Sequence, residues 1–315
     1  MQSNNPLPPI WTLEDLARDA QASLEAFVAR RLGESADRFP SHLKERRKQL
    51  GRLIRLLSNF DPDNPDRELL NTIVFDVDLL AALRYVAGPP VSEDDLLVLV
   101  TRRPISLSRR LIEQEPELLD ATIRLVCSLA DLTRFPWVKA GRQPRWSELK
   151  LAIRSTAAMH AFQRLQTERR GYGKRVEAMF ADKLVSMGYR KVKALNGGRV
   201  TAPMHFPHPR EFYGECNVYG RKTDLFIGLS DGRVAAVEAK DSSSVVNSVK
   251  RVLNDTAAKA EHWHRHAGMT IVPIALLSGV FGVSDLQRAQ TSGLFLVWLH
   301  DLLAIEDWLR ALLPE

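Results

Sequence analysis

The sequence contains little cysteine. Only Cys127 and Cys216 occur among its 315 residues, far apart and without the spacing of a metal site. Disulfide scaffolds and zinc sites require more cysteines at closer, regular intervals. The cysteine content therefore argues against both and favours a reducing compartment.

Long apolar runs are also missing. No stretch approaches the roughly 20 apolar residues that a membrane-spanning helix needs. The first residues, MQSNNPLPPIW, lack the charged start and apolar segment of a signal peptide. Hydrophobic residues still make up 45% of the chain, which is enough for substantial cores. We expect a globular protein in the cytoplasm, with about two domains for this length.

Acidic residues are in the minority. The chain has 44 Lys and Arg against 38 Asp and Glu, a formal net charge of +6. Basic side chains that displace counterions from phosphates supply most of the non-specific affinity for nucleic acids. The balance is consistent with a polyanionic partner, although many basic proteins bind no polyanion. No nucleophile elbow or dinucleotide fingerprint points to another chemistry.

The most informative stretch lies between Lys222 and Lys240. An apolar strand over 223–229 leads to the turn Ser-Asp-Gly at 230–232, and a second apolar strand follows from Arg233. Two alternating apolar runs around such a turn predict a β-hairpin.

The length of the hairpin loop decides which side chains meet. A two-residue Asp-Gly loop places Asp224 opposite Ala239, whereas a three-residue loop places Asp224 opposite Glu238. We predict the three-residue loop, with Gly232 in the left-handed conformation that glycine tolerates. Side chains alternate along a strand, so Asp224, Glu238 and Lys240 then share one face.

Two carboxylates that converge in an apolar hairpin repel each other, and burial disfavours their charged forms. A divalent cation compensates for this directly. Mg²⁺ prefers one or two carboxylates and completes its shell with waters and substrate phosphate oxygens. Lys240 beside it is suited to orient or deprotonate an attacking water, or to stabilise charge on phosphorus.

An Asp followed fourteen residues later by Glu-x-Lys at a hairpin end resembles the signature of the PD-(D/E)XK nucleases. Asp224 matches the first acid, Glu238 the second acid and Lys240 the lysine. Thr223 stands where the family has proline. The motif is short, so a solvated hairpin end with an incidental Glu-Lys pair is the alternative interpretation.

The flanking sequence favours the nuclease interpretation. Apolar residues at helical spacing predict a helix over 174–187, which Gly188 ends. In the nucleases that the chain resembles, a helix at this place often supplies a further acid. Glu177 is therefore a candidate ligand of a second metal or a residue supporting the first, and the alternative is an N-terminal acid favoured by the helix dipole.

Downstream of the motif, the pattern predicts helix, strand, helix, strand and helix over 245–267, 270–280, 285–289, 293–299 and 302–312. The resulting fold class is α/β, with a mixed sheet like that of restriction endonucleases. The segments NSVKRVLNDTAAKAEHW, LLSGVF and VWLHD further resemble the XamI-like type II restriction endonucleases, over roughly the last half of the chain.

The resemblance implies a Mg²⁺-dependent type II restriction endonuclease that cleaves double-stranded DNA at a short specific site. It implies that Asp224, Glu238 and the carbonyl of Ala239 hold the metal and that Lys240 positions the attacking water. It also implies a homodimer and a partner DNA methyltransferase. A repair, resolvase-like or phage-defence nuclease, or a DNA-binding module that no longer cleaves, are the alternatives.

The first half of the chain reads as consecutive helices, over 13–32, 41–57, 67–86, 93–101, 107–132 and 148–165. Thr12 with Asp15 predicts a capping box, and Ser92 and Ser147 predict N-caps. We therefore predict an all-helical N-terminal domain over 1–167 for DNA recognition or dimerisation. The nuclease domain is predicted over 168–315, after a glycine-bearing hinge at 168–174.

Several basic and amide side chains are candidates for DNA contact. A Pro- and Gly-broken loop with interleaved tryptophans can follow a groove, and the helix after the motif lies close to the predicted metal. The candidates are Arg134, Lys139, Arg142, Arg145, Asn247, Lys250, Arg251, Asn254 and Lys259.

Overall fold

The structure is a computed structural model that describes residues 6–57, 66–103, 111, 114–115, 117–249 and 255–313. The chain divides into two compact units. One comprises the residues up to Leu32 together with those from Arg169 onwards, and the other runs from Gly33 to Glu168. The two are called the sheet unit and the helical unit below.

The sheet unit contains a mixed sheet of six strands in the order β1-β3-β6-β7-β8-β9 and a smaller sheet in the order β2-β4-β5. The strands are β1 (Arg190–Lys191), β2 (Arg199–Val200), β3 (Glu211–Tyr213), β4 (Cys216–Val218), β5 (Arg221–Thr223), β6 (Leu225–Gly228), β7 (Val234–Ser242), β8 (Ile271–Gly279) and β9 (Phe295–Trp298). β7, β8 and β9 run parallel, and β3, β6 and β7 run antiparallel. This confirms the predicted fold class.

The hairpin β6–β7 has the predicted register. Leu225 lies opposite Val237 and Gly228 opposite Val234, so the position before this ladder sets Asp224 opposite Glu238. The N–H of Leu229 donates to the carbonyl of Arg233, which leaves residues 230–232 as the loop. Gly232 has a φ of +86°, the left-handed conformation that a three-residue hairpin loop requires.

Helices cover both faces of the six-stranded sheet, as a sheet with parallel strands requires. The helices of this unit are α1 (Leu13–Gly33), which ends at the unit boundary, α9 (Tyr172–Ser186), α10 (Val245–Val249), α11 (Ala258–Ala267), α12 (Val283–Thr291) and α13 (Leu303–Ala311). One core joins α9 and α13 through Phe180 and Trp308 to Val237 of β7. A second core joins α1, α11 and α12 to Leu277 and Leu296.

The N-terminal helix belongs to the sheet unit, which differs from the predicted domain division at this end of the chain. Leu16 is fully buried in the core beside β8 and β9. The Ser23 hydroxyl donates to the carbonyl of Gly279 at 2.8 Å, and the indole N–H of Trp11 donates to the carbonyl of Leu296 at 2.8 Å. The sequence shows that this segment is helical, but its packing partners lie more than 250 positions away along the chain.

The helical unit contains α2 (Phe39–Leu57), α3 (Arg67–Phe75), α4 (Val77–Leu83), α5 (Glu93–Thr101), α6 (Glu117–Ser128), α7 (Pro136–Ala140) and most of α8 (Trp146–Arg170). Its core includes Leu53, Ile73 and Val126, all without exposed surface. The helix predicted over 67–86 is two helices, because the Asp76 side chain accepts hydrogen bonds from the N–H groups of Asp78 and Leu79 and starts α4. Part of the segment predicted helical over 107–132 lies outside the described residues.

Two of the three predicted helix caps are present in the structure. The capping box of α1 is present, with the N–H of Asp15 donating to the Thr12 hydroxyl at 3.2 Å and the N–H of Thr12 donating to the Asp15 carboxylate at 3.2 Å. Ser92 caps α5 as predicted. Ser147 lies inside α8, because the helix begins at Trp146.

The predicted hinge is a single break in helical structure. α8 continues to Arg170 and α9 begins at Tyr172, which leaves Gly171 between them. Charged residues at 168–170 are good helix formers, and this explains why the helix extends past the expected hinge. Within the described ranges, the helices are too short or too polar to cross a bilayer.

Candidate active site

Asp224 lies between β5 and β6, at the open end of the hairpin. Its carboxylate accepts a hydrogen bond from the backbone N–H of Ala239 at 2.9 Å. This contact reaches across the hairpin and fixes the side chain beside β7. One oxygen of Asp224 is thus held by the strand that carries the other motif residues.

Glu238 is the most buried member of the group, with only 2% of its side chain exposed. Its Oε2 atom accepts from Lys240 Nζ at 2.9 Å. Its Oε1 atom is buried and has no hydrogen-bond partner among the described residues. Burial and the nearby charge of Asp224 raise the pKa of Glu238, and the ammonium of Lys240 opposes that rise.

Lys240 lies on the same face as Glu238, as strand alternation predicts. Its Nζ donates to Glu238 Oε2 at 2.9 Å and to Asp255 Oδ2 at 2.7 Å. Burial works against the charged form, but Glu238 and Asp255 outweigh it and raise the pKa of Lys240. In this arrangement Lys240 is an ammonium, which donates hydrogen bonds and does not accept a proton.

Lys259 of α11 also enters this site. Its Nζ lies 2.9 Å from Glu238 Oε2 and 3.7 Å from Asp255 Oδ1. Only 15% of its side chain is exposed. Its partner is therefore the buried acid of the motif, and not the solvent that a backbone-gripping lysine would face.

Glu177 lies on α9, near Asp224. Burial and the charge of Asp224 raise the pKa of Glu177. Lys174 Nζ lies 3.1 Å from Glu177 and 2.8 Å from Glu215, and it partly offsets the repulsion. The further acid that the sequence predicts is thus electrostatically coupled to Asp224, the first acid of the motif.

These carboxylates suit a hard cation. Glu238 offers a buried oxygen without a partner, and Asp224 keeps one oxygen outside its bond to Ala239. In the described part of the chain, however, no three His, Cys, Asp or Glu side chains stand close enough together to hold a metal ion on their own. The two carboxylates of Asp224 and Glu238 still fit Mg²⁺, because this ion takes one or two carboxylates and fills its remaining positions with water and phosphate oxygens.

Among the candidates for DNA contact, Arg134 has a different role. Only 10% of its side chain is exposed. Its guanidinium donates to Asp131 at 2.7 Å, to Thr156 at 2.9 Å and to the carbonyls of Tyr85 and Ala87 at 2.8 and 2.9 Å. These bonds hold together segments of the helical unit. The expected contact of Arg134 with DNA does not fit this position.

The other basic residues of that loop are exposed: Lys139, Arg142 and Arg145. Arg142 forms an ion pair with Glu148 at the start of α8, and Lys139 lies in the last turn of α7. Asn247 of α10 is exposed as well. Lys250, Arg251 and Asn254 lie outside the described residues.

Comparison with known proteins identifies the family. The family model of the XamI restriction endonuclease matches residues 64–298. The chain belongs to this family. The type II restriction enzyme XamI of Xanthomonas campestris pv. amaranthicola is 34% identical over 268 residues, which cover 84% of this chain and 95% of that enzyme. No solved structure matches the chain.

The family match covers more of the chain than the resemblance seen in the sequence, which covered roughly the last half. It begins at residue 64, within the first half of the chain, and ends at β9. It therefore spans the hairpin, the helix that carries Glu177 and much of the helical unit.

Sequence reasoning missed Asp255. The residue contacts Lys240 and lies four positions before Lys259, a spacing that joins side chains along a helix. That spacing was a usable signal, but nothing in the sequence indicates that the pair points at the motif.

Proposed function

We propose that this protein is a Mg²⁺-dependent endonuclease that hydrolyses phosphodiester bonds of double-stranded DNA at a specific short site. One observation carries the proposal: Asp224, Glu238 and Lys240 converge at the end of a hairpin, and a buried oxygen of Glu238 has no partner among the described residues. Membership in the XamI family supports the reaction class. Asp224, Glu238 and Lys240 match the two acids and the lysine of the PD-(D/E)XK pattern, while Thr223 replaces its proline.

Asp224 and Glu238, with the backbone carbonyl of Ala239, are the residues that would hold the metal. Both carboxylates lie on one face of the hairpin, and oxygen ligands are what Mg²⁺ requires. When bound, the ion supplies positive charge that stabilises the developing charge on the scissile phosphate. Burial and the charge of Asp224 both raise the pKa of Glu177, and this carboxylate would support the metal site or a second one.

Lys240 positions the attacking water. A lysine ammonium has three donors, and Glu238 and Asp255 occupy two of them. The third can hold a water beside the phosphate. Because the pKa of Lys240 is raised, it orients the nucleophile and stabilises negative charge, and another group takes the proton.

The exposed side chains of Lys139, Arg142, Arg145 and Asn247 are the proposed DNA contacts among the described residues. Lysines and arginines at such positions neutralise phosphates and fix the register on the duplex. We further propose a cytoplasmic homodimer, since two-fold symmetry matches a palindromic site. A methyltransferase that protects the host's own sites would complete the system.

The test is incubation of the purified protein with plasmid and unmethylated phage DNA, in Mg²⁺ and in EDTA, followed by gel electrophoresis and sequencing of the fragment ends. Discrete fragments that require Mg²⁺ are expected. A smear would favour a nonspecific or structure-directed nuclease. Retention of DNA without cleavage would favour a binding module.

Two variants connect the activity to the site. Asp224→Ala and Lys240→Ala should abolish cleavage and leave DNA binding largely in place. Asp307→Ala and Lys193→Ala change exposed residues of the same types and should cleave normally. Equal cleavage by all four variants would overturn the assignment of the site.

A further inference from the structure

Two ammonium groups meet on a single carboxylate oxygen at the centre of the site. Lys240 Nζ and Lys259 Nζ both lie 2.9 Å from Glu238 Oε2. The three side chains are 12%, 15% and 2% exposed, respectively. Ion pairs on a protein surface are solvated and contribute little, whereas removing charges from water is costly. These three largely buried charges are therefore part of the internal structure of the site and not a solvated surface ion pair.

Asp255 forms ion pairs with both of these ammonium groups. Its Oδ2 lies 2.7 Å from Lys240 Nζ and its Oδ1 lies 3.7 Å from Lys259 Nζ. Two carboxylates and two ammonium groups thus form a neutral quartet, defined here as Glu238, Lys240, Asp255 and Lys259. Neutrality reduces the cost of keeping the Glu238, Lys240 and Lys259 charges away from water, while the Asp255 side chain is about half exposed.

The two halves of the quartet come from different elements. Glu238 and Lys240 lie on β7, while Asp255 lies in the helical turn 255–257 that leads into α11, four positions before Lys259 of α11. The strand cannot fix both side chains by its own geometry, because long side chains rotate freely. The helix supplies a partner for each: Lys259 for Glu238 and Asp255 for Lys240.

We propose that Lys259 and Asp255 are positioning residues of the active site. Lys259 anchors Glu238 through Oε2 and leaves Oε1 without a partner among the described residues. Asp255 holds Lys240 in the place from which it orients water. This inference rests on the proposed nuclease function and adds residues to its machinery.

The competing interpretation is that Lys259 grips the DNA backbone, as the sequence alone suggested. A phosphate contact affects DNA affinity and its dependence on salt. A positioning residue affects the rate of cleavage once DNA is bound. Measurements of DNA affinity and of the cleavage rate therefore distinguish the two roles.

The experiment uses the full chain with Lys259→Met, Asp255→Asn and the double variant. Arg265→Met and Glu261→Gln are matched controls at exposed positions of α11. Single-turnover cleavage in Mg²⁺ should fall by about tenfold to a hundredfold for each single variant, as when a supporting residue is lost. The double variant should cleave about as slowly as the slower single variant, because the residues act as a unit.

DNA affinity in EDTA should change by less than about twofold, with an unchanged salt slope. Lys259→Arg should recover part of the cleavage rate, since it keeps a cation near Glu238. Asp255→Asn alters a side chain that is 48% exposed, so it provides a test even if Lys259→Met fails to fold.

Thermal unfolding in EDTA supplies a readout independent of cleavage. Lys259→Met should lower the melting temperature of the wild-type protein but have little effect in a Glu238→Gln background, because the pair is then already broken. Equal effects in both backgrounds would show that the lysine does not act through Glu238.

The outcomes separate the two proposals. If the wild-type protein does not cut in Mg²⁺, the proposed function fails, and the unfolding cycle still tests the Lys259 contact. If wild-type protein cuts and Lys259→Met and Asp255→Asn cut equally fast, only the positioning role fails. A tenfold loss of DNA affinity with a reduced salt slope would assign Lys259 to the phosphate backbone.

Discussion

Asp224 accepts a hydrogen bond from the backbone N–H of Ala239 at 2.9 Å, and this bond ties the first acid of the motif to the strand that carries the second. Carboxylates that accept a backbone N–H are fixed in rotamer as well as in position. The geometry of the site therefore depends on hairpin register, and a one-residue slip would move Glu238 to the opposite face.

The first prediction concerns Asp224→Asn. The asparagine side-chain oxygen can still accept from the Ala239 N–H, so the hairpin should remain intact while a charged ligand is lost. We expect cleavage to fall by about a thousandfold or more, with DNA affinity in EDTA kept. Single-turnover assays and fluorescence anisotropy measure the two effects.

Asp307→Asn is the matched control for that variant, because Asp307 is exposed on α13. It should cleave at the wild-type rate. Cleavage by Asp224→Asn within tenfold of wild type would contradict the role of this carboxylate.

The second prediction separates function from stability at Glu177. Burial and the charge of Asp224 raise the pKa of Glu177 above its value in the unfolded chain. Ionisation of Glu177 therefore lowers the free energy of unfolding as the pH rises from the unfolded-state pKa through the folded-state pKa. Glu177→Gln should therefore melt higher by roughly 2 °C at pH 8 in EDTA. Cleavage should fall at least about tenfold.

Differential scanning calorimetry and a cleavage time course on the same preparation test this pair of effects. Glu261→Gln is the matched control, because it removes an exposed acid from α11 and should change neither quantity. A lower melting temperature for Glu177→Gln would show that Lys174 outweighs the repulsion from Asp224.

The hairpin was predictable because its determinants are local. Strand alternation and the glycine at 232 fix the register within the stretch itself, and the φ of +86° confirms the choice of loop. The partners of Lys259 were not predictable, because they depend on how α11 packs against β7. The same holds for Arg134, whose bonds to Tyr85 and Thr156 cross 49 and 22 positions of sequence.

The N-terminal helix illustrates the same limit. Its start was correct to the residue, since the Thr12–Asp15 capping box is a local signal. Its assignment to the sheet unit depends on Leu16 packing in a core built around β8 and β9. Amphipathic spacing shows that a helix has a buried face, but it does not identify the surface that covers it.

The third prediction follows from the buried position of Arg134. Arg134→Met should lower the free energy of unfolding by about 3 kcal/mol, because the carbonyls of Tyr85 and Ala87 lose a donor and the Asp131 carboxylate loses its ion pair. DNA affinity per folded molecule should be unchanged. Urea unfolding and anisotropy measure the two quantities.

Arg145→Met is the control for this variant, since Arg145 is exposed on the neighbouring loop. Its free energy of unfolding should stay within about 0.5 kcal/mol of the wild-type value. Its DNA affinity should fall, and that affinity should depend less steeply on salt concentration. If Arg134→Met instead kept its stability and lost DNA affinity, the original assignment to the DNA surface would stand.

The last prediction concerns pH and His160. The ring stacks on Tyr85 at a centroid distance of 4.0 Å, and burial, with the charges of Arg46 and Arg84, lowers the pKa of His160 from 6.5 to about 4. The unfolded chain therefore takes up this proton first as the pH falls. The contribution to stability is complete above pH 6.5 and is lost towards pH 4, by about 3 kcal/mol.

His160→Phe keeps an aromatic ring against Tyr85 but cannot take up a proton. Urea unfolding between pH 7 and pH 4 should show a shallower loss of stability for this variant than for wild type, and the difference between the two curves isolates His160 from the titrating carboxylates. His208→Gln, at an exposed position, should follow the wild-type curve. Parallel curves for wild type and His160→Phe would mean that the folded protein protonates His160 as readily as the unfolded chain does.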